Sequence, residues 1–140
     1  MKFVLAVLLL CPLVARAAAP ELTVVKPWMR YLLPSIPAAA YMELQNPGVV
    51  DVVVTGAVSP ACGMLMLHKS SDDSGMAMMV DVPSITVPAH GRVVLAPGGY
   101  HLMCMSPVMK LGDKVPVTLR LADGGTVAVM LPVYGAQNAP

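Results

Sequence analysis

Fourteen prolines and eleven glycines break this 140-residue chain into short pieces, and no long helix-period pattern bridges the breaks. Proline fixes φ and lacks an N–H, and glycine lets the chain turn. Segments bounded by them satisfy their backbone groups most readily as short strands. The chain is therefore expected to be all-β, a sandwich or barrel of strands separated by turns. Strands are expected over residues 22–25, 39–45, 49–54, 63–68, 76–80, 84–87, 92–95, 100–105, 115–121 and 126–131. A hairpin turn at 72–75 joins 63–68 to 76–80, 84–87 pairs with 92–95 around His90-Gly91, and 115–121 pairs with 126–131 around Ala122-Asp123-Gly124-Gly125. Pro27-Trp28-Met29-Arg30 is expected to lead from the first strand into a loop, and a loose tail to begin at Tyr134.

The N-terminus bears on how much of the chain shares one core. Lys2, the apolar run 3–14 and the small residues around Ala15-Arg16-Ala17 have the order of a secretory signal, and the run is shorter than the roughly 20 apolar residues of a membrane span. Cleavage is expected after Ala17, because a cut after Ala19 would have Pro20 next to it. Cys11 follows Leu10, where a lipid-attachment signal carries a small residue. It is thus expected to leave with residues 1–17, and the protein to work in the periplasm without a membrane anchor. Residues 18–140, with no internal repeat or linker, then make one domain. A net charge of +1 with 12% charged residues offers no basic field for nucleic acid. Cys62 and Cys104 remain, and in an oxidising compartment they are either a disulfide or two buried thiols.

All three histidines lie between His68 and Met103, and four residues there form a spaced set: His68, ten residues, Met79, twenty-one residues, His101, one residue, Met103. Side chains alternate across a strand, so Met64, Met66 and His68 share one face of 63–68, and His101, Met103 and Met105 one face of 100–105; Leu65, Leu67, Leu102 and Cys104 take the other faces. The hairpin at 72–75 can bring Met79 close to His68. Two imidazoles and two thioethers are neutral, polarizable donors of the kind Cu(I) accepts, whereas Mg²⁺ and Ca²⁺ want oxygen ligands and structural zinc usually wants thiolates. A thioether also carries no proton and oxidises less readily than a thiolate outside the cytoplasm. His68, Met79, His101 and Met103 are accordingly the candidate ligands of one Cu(I). Met64, Met66 and Met105 are candidates to line the same site, while Met29, Met42, Met109 and Met130 are expected as core filler and His90 as a solvated turn residue.

The spaced set, read with its surroundings, resembles the PCuAC family of periplasmic copper chaperones, whose hallmark is His-x10-Met-x21-His-x-Met. The supporting context is similar as well: Trp28 and Arg30, Tyr41 and Asn46, Ser59-Pro60-Ala61, and the run Leu95-Ala96-Pro97-Gly98-Gly99-Tyr100-His101-Leu102-Met103. The resemblance covers nearly all of the chain after residue 17. It implies a cupredoxin-like β-sandwich of Greek-key type that binds one Cu(I) near its surface. It further implies delivery to an acceptor, commonly the copper centre of cytochrome c oxidase or another periplasmic copper carrier, by a monomer. Three departures from the family pattern stand out. Ala77 occupies the place of a frequent second methionine, Cys62 and Cys104 are unusual, and residues 136–140 lack the histidines and methionines of some family tails.

Other function classes fit less well. A blue-copper electron carrier needs a Cys, His, Met run on one loop, and after Cys104 come Met105 and Met109 but no histidine. An enzyme is not expected: no nucleophile motif, coherent pair of carboxylates or Gly-rich phosphate cradle is present. General copper storage or resistance is the alternative within the copper-binding class.

Overall fold

The structure is a computed structural model and describes residues 22–71, 76 and 78–140. The expected signal segment, the 72–75 turn and Ala77 therefore lie outside the described residues. Ten strands and no helix occur among those described: β1 Thr23–Arg30, β2 Ala38–Gln45, β3 Val52–Val58, β4 Met64–Ser71, β5 Met78–Asp81, β6 Ile85–Val87, β7 Arg92–Leu95, β8 Tyr100–Met105, β9 Lys114–Leu121 and β10 Thr126–Tyr134.

The sheet runs β4-β8-β2-β1-β10-β9-β3 and closes on itself where Ala57 of β3 meets Leu65 of β4. β2 is long enough to pair with β8 through Ala38–Ala40 and with β7 through Met42–Gln45. Neighbours such as β4 and β8, or β3 and β9, are distant in sequence, the over-and-across connectivity of a Greek-key sandwich. Closure leaves β5 and β6 as short edges, β5 on β4 and β6 on β3. Inward positions are apolar and bury completely or nearly so, among them Met29, Leu44, Leu67, Leu102, Leu119 and Leu131. Each such side chain contributes about 1.5–3 kcal/mol.

Several boundaries differ from expectation for identifiable reasons. β1 does not end before Pro27. Val25 faces Glu43 and Trp28 faces Tyr41, so β1 carries one extra residue there, a β-bulge at Lys26-Pro27 with Lys26 at φ 50°. A bulge is a place where a strand tolerates a proline, because the ladder is already interrupted. It also shifts the alternation, so that Met29 turns inward while Trp28 and Arg30 face out. β3 begins after Asp51, leaving Val49 and Val50 exposed. β6 and β7 do not pair with each other: β6 joins β3 and β7 joins β2. β10 continues to Tyr134 beside β1, so the tail starts later than expected. Met29, Met42 and Met109 are core residues as expected, but Met130 points outward from β10.

Cys62 and Cys104 form a disulfide with their Cα atoms 5.3 Å apart. It joins the approach to β4 to the end of β8. Beside it Gly63 donates its N–H to the Met105 carbonyl at 2.8 Å. A Cβ on Gly63 would lie 3.3 Å from Ser106 Cβ and 3.4 Å from that carbonyl, so a side chain there would crowd the approach. Asn46 ties the far end of the barrel. Its Nδ2 donates to the Val50 and Val87 carbonyls and its Oδ1 accepts from Gly48 N–H.

Candidate metal centre

The β4–β8 ladder determines where the candidate donors stand. Met64 faces Met105, Met66 faces Met103 and His68 faces His101, with the intervening Leu65–Cys104 and Leu67–Leu102 pairs turned into the core. On the other side of β4, Met79 faces Ser70 and Asp81 faces His68. Directly opposed residues share a face, so His68, His101, Met103, Met79 and Asp81 all project from the outer surface of the barrel. The two histidines form the middle rung, Met103 sits one rung to one side and Met79 one rung to the other. Diagonal neighbours of this kind are about 7–8 Å apart at the backbone, within reach of long side chains.

The β4–β5 pairing brings Met79 onto the rung next to His68, and Asp81 stands directly opposite that histidine. His68 is not the last residue of its strand, since β4 continues to Ser71.

The ring geometry is specific. His68 and His101 meet edge to face with centroids 5.7 Å apart. Tyr41 lies 6.3 Å from the His101 ring and Trp28 lies 4.7 Å from Tyr41; the β1 bulge is what turns that tryptophan outward. Arg30, also turned outward, places its guanidinium 5.5 Å from the Tyr41 ring centroid. This cover leaves His101 only 3% exposed, although it is on the outer face. Its Nδ1 lies 3.2 Å from the Gly99 carbonyl, which can only accept, so Nδ1 carries the proton and Nε2 presents a lone pair. That Nε2 is buried without a hydrogen-bond partner. His68 Nε2 lies 2.7 Å from Asp81 Oδ1, but the ring N–H does not aim at the oxygen, and neither His68 nitrogen completes a hydrogen bond.

Burial pushes the His101 pKa below its ordinary value of 6.5; the Gly99 carbonyl opposes this, and the nearby His68 and Arg30 add to it. Burial likewise raises the Tyr41 pKa, against the pull of Arg30. A cleft of about 520 Å³ opens over the site, with Arg30, Tyr41, Met79, His101 and Met103 in its wall. His68 abuts His101 from the other side. Met79 is 60% exposed and the least enclosed of the four candidates. Among the described residues no three His, Cys, Asp or Glu side chains converge where an ion could sit. A metal held here would need the methionine sulfurs to complete its coordination.

The family described as "Putative lipoprotein LpqE-like" matches residues 22–133. The chain belongs to the LpqE-like family. A relative of this LpqE-like chain, the "Putative lipoprotein Lxx21020" of Leifsonia xyli subsp. xyli (strain CTCB07), is 36% identical over 104 residues. The match takes in 72% of this chain but 63% of that protein, so the chain spans less than two thirds of its relative's length. Among solved structures, the copper-bound PCuAC domain from PmoF2 is similar with a TM-score of 0.69 at 22% identity, covering 84% of this chain and 96% of that one. Apo-DR1885 from Deinococcus radiodurans is similar at 0.64 and 31% identity, covering 100% and 97%. The CuI form of DR1885 is similar at 0.63 and 32% identity, covering 90% and 88%. The LpqE-like chain thus has the cupredoxin-like fold of PCuAC domains.

Asp81 is the site residue that the sequence motif does not contain. Its signal was available, two residues beyond Met79 and so on the same face of β5, but only the β4–β5 register places it against His68. Asp81 Oδ1 stands 2.7 Å from His68 Nε2 without an aligned hydrogen bond, and a turn of the ring that let Nε2–H donate to it would leave Nδ1 as the free donor. Asp81→Ala in the LpqE-like protein is expected to weaken Cu(I) binding about 10- to 100-fold, the usual effect of removing such support. Competition with a Cu(I) chelator measures it. An unchanged affinity would mean that Asp81 only neighbours the ring.

Proposed function

We propose that this LpqE-like protein is a copper carrier of the cell envelope, with no catalytic step. It takes one Cu(I) at the centre formed by His68, Met79, His101 and Met103 and passes it to an acceptor. The observation that carries this reading is the pair of buried, partnerless imidazole nitrogens, His68 Nδ1 and His101 Nε2, on a face where Met103 and Met79 flank both rings. A buried polar atom left without a partner costs about 1–3 kcal/mol, and a soft cation bound to both nitrogens would remove that penalty. All four donors are neutral. Arg30 adds a positive charge to the wall of the same cleft, which penalises a divalent ion more than a monovalent one. The likeness to DR1885, solved with and without CuI, supports the same reading.

The disulfide argues against blue-copper electron transfer. Such a site needs a thiolate, and both Cys62 and Cys104 are committed to each other. Export is supported by the signal-like order of residues 1–17 and by the lipoprotein names of the family and the relative. Release is supported by the gradient of burial across the centre. An incoming ligand can displace exposed Met79 first and reach buried His101 last.

The protein starting at Ala18, titrated with Cu(I) against a competing chelator, is expected to hold a tight equivalent of metal. Mixed with an apo copper domain of cytochrome c oxidase or another periplasmic copper carrier, it is expected to surrender that metal, with amide shifts confined to residues 66–71 and 98–105. Tight binding with no transfer would favour storage. Absence of tight binding would remove the centre altogether.

A further inference from the structure

The outer face of the β4–β8 ladder continues past the candidate centre. Below the histidine rung every outward position on both strands is a methionine: Met66 opposite Met103, then Met64 opposite Met105. The inward positions of the same strands are Leu65, Leu67, Leu102 and Cys104, so the choice of sulfur over plain hydrocarbon coincides with the solvent side. Met64 is 58% and Met105 38% exposed, and neither joins the core. Apolar packing does not account for thioethers in those places.

We infer that Met64, Met66 and Met105 form a second site, made of thioethers alone, for a soft monovalent ion such as Cu(I) or Ag(I). Opposed residues on an antiparallel ladder hold their Cβ atoms about 4.5–5.5 Å apart. From backbones that close, the two flexible thioether arms of the Met64–Met105 rung can reach one ion between them. Met66, on the next rung and facing Met103, is the third donor. The rung is held in register without metal: the Cys62–Cys104 bond and the Gly63–Met105 hydrogen bond pin the two strands beside it. The site would give an ion a foothold two rungs from the histidines, from which it can move along the ladder without leaving the protein. The proposal shares with the function proposed above only the class of metal, and it stands or falls on different residues.

Ag(I), which binds thioethers and does not cycle between oxidation states, is the probe. Native mass spectrometry of the wild-type chain is expected to show two ions, and Met64→Leu/Met105→Leu one. Leucine keeps the volume and the exposed position, so the β circular-dichroism signal should not change. In protein labelled at the methionine methyl carbons, the signals of Met64, Met66 and Met105 are expected to move with one of the two equivalents. One ion in the wild type, with these three methyls unmoved, overturns the second site and leaves the histidine centre standing. Two ions retained by the double variant also overturn it. Loss of every ion in the double variant overturns the proposal of two independent sites, since all binding would then depend on the methionine rungs.

Discussion

Cu(I) affinity is expected to fall more than about 100-fold when His101 is replaced by alanine, because losing a ligand should exceed the ten- to hundredfold effect of losing a supporting contact. Chelator competition reads it directly. His101 is packed under Tyr41 and against His68, so the truncation also leaves a gap and is expected to lower the stability of the metal-free protein by about 1–3 kcal/mol while the β signal persists. His101→Phe fills the space without offering a donor, and separates the two effects. Wild-type affinity in both variants would sink the assignment of this residue.

The same residue gives the metal-free protein a pH signature. Burial depresses the His101 pKa below 6.5, with His68 and Arg30 as its charged or titratable neighbours and the Gly99 carbonyl holding Nδ1–H. The unfolded chain therefore binds the proton first as pH falls. The contribution to stability is full above pH 6.5 and is lost as pH drops through the lowered folded value. His101→Ala is expected to flatten that part of a denaturation profile taken between pH 5 and 8.

Reducing the disulfide, or replacing both cysteines by alanine, is expected to be the largest single loss of stability. Cys62 and Cys104 are 42 residues apart in sequence. Closing a loop of that length in the unfolded chain is worth about 4 kcal/mol in the chain-entropy account, which for a domain of this size lowers the melting temperature by about 10–20 °C. Thermal melts with and without reductant measure it. A melting temperature insensitive to reductant would mean that the bond does not form in the folded protein. Copper affinity is expected to stay within a few-fold at 25 °C, because the β4–β8 ladder holds the histidine rung by its own pairing.

The extent to which the sequence disclosed this arrangement follows from which interactions are local. β8 and the β9–β10 hairpin were legible because strict alternation and a Gly-rich turn act within a few residues. The common face of His101 and Met103 within β8 was legible for the same reason, whereas its union with that of His68 depends on the long-range β4–β8 pairing. The path of β1 was not. Pro27 reads as a breaker unless a partner strand absorbs the extra residue, and that partner lies beyond the turn, in β2. Asp81 was missed because its relation to His68 is a matter of register across a hairpin, and the pairing of β6 with β3 rather than β7 is a long-range choice. The disulfide hung on the spatial separation of two distant cysteines, which spacing along the chain does not specify.

The bulge at Lys26-Pro27 can also be viewed as a phase shift. A strand is a wave of period two, and one inserted residue advances it by half a cycle. Upstream, Val24 is in step with Leu44 on the core side; downstream, Met29 is in step with Ala40. Flattening the bulge while keeping its extra residue would impose one continuous wave and set the two ends of the strand against each other. Keeping Val24 inward would send Trp28 and Arg30 into the barrel and Met29 out over His101. Keeping Met29 inward would expose the upstream half. Accommodating the extra residue at Lys26-Pro27 is therefore what lets one strand feed the core at both ends while turning Trp28 and Arg30 out to cover Tyr41 and, through it, His101.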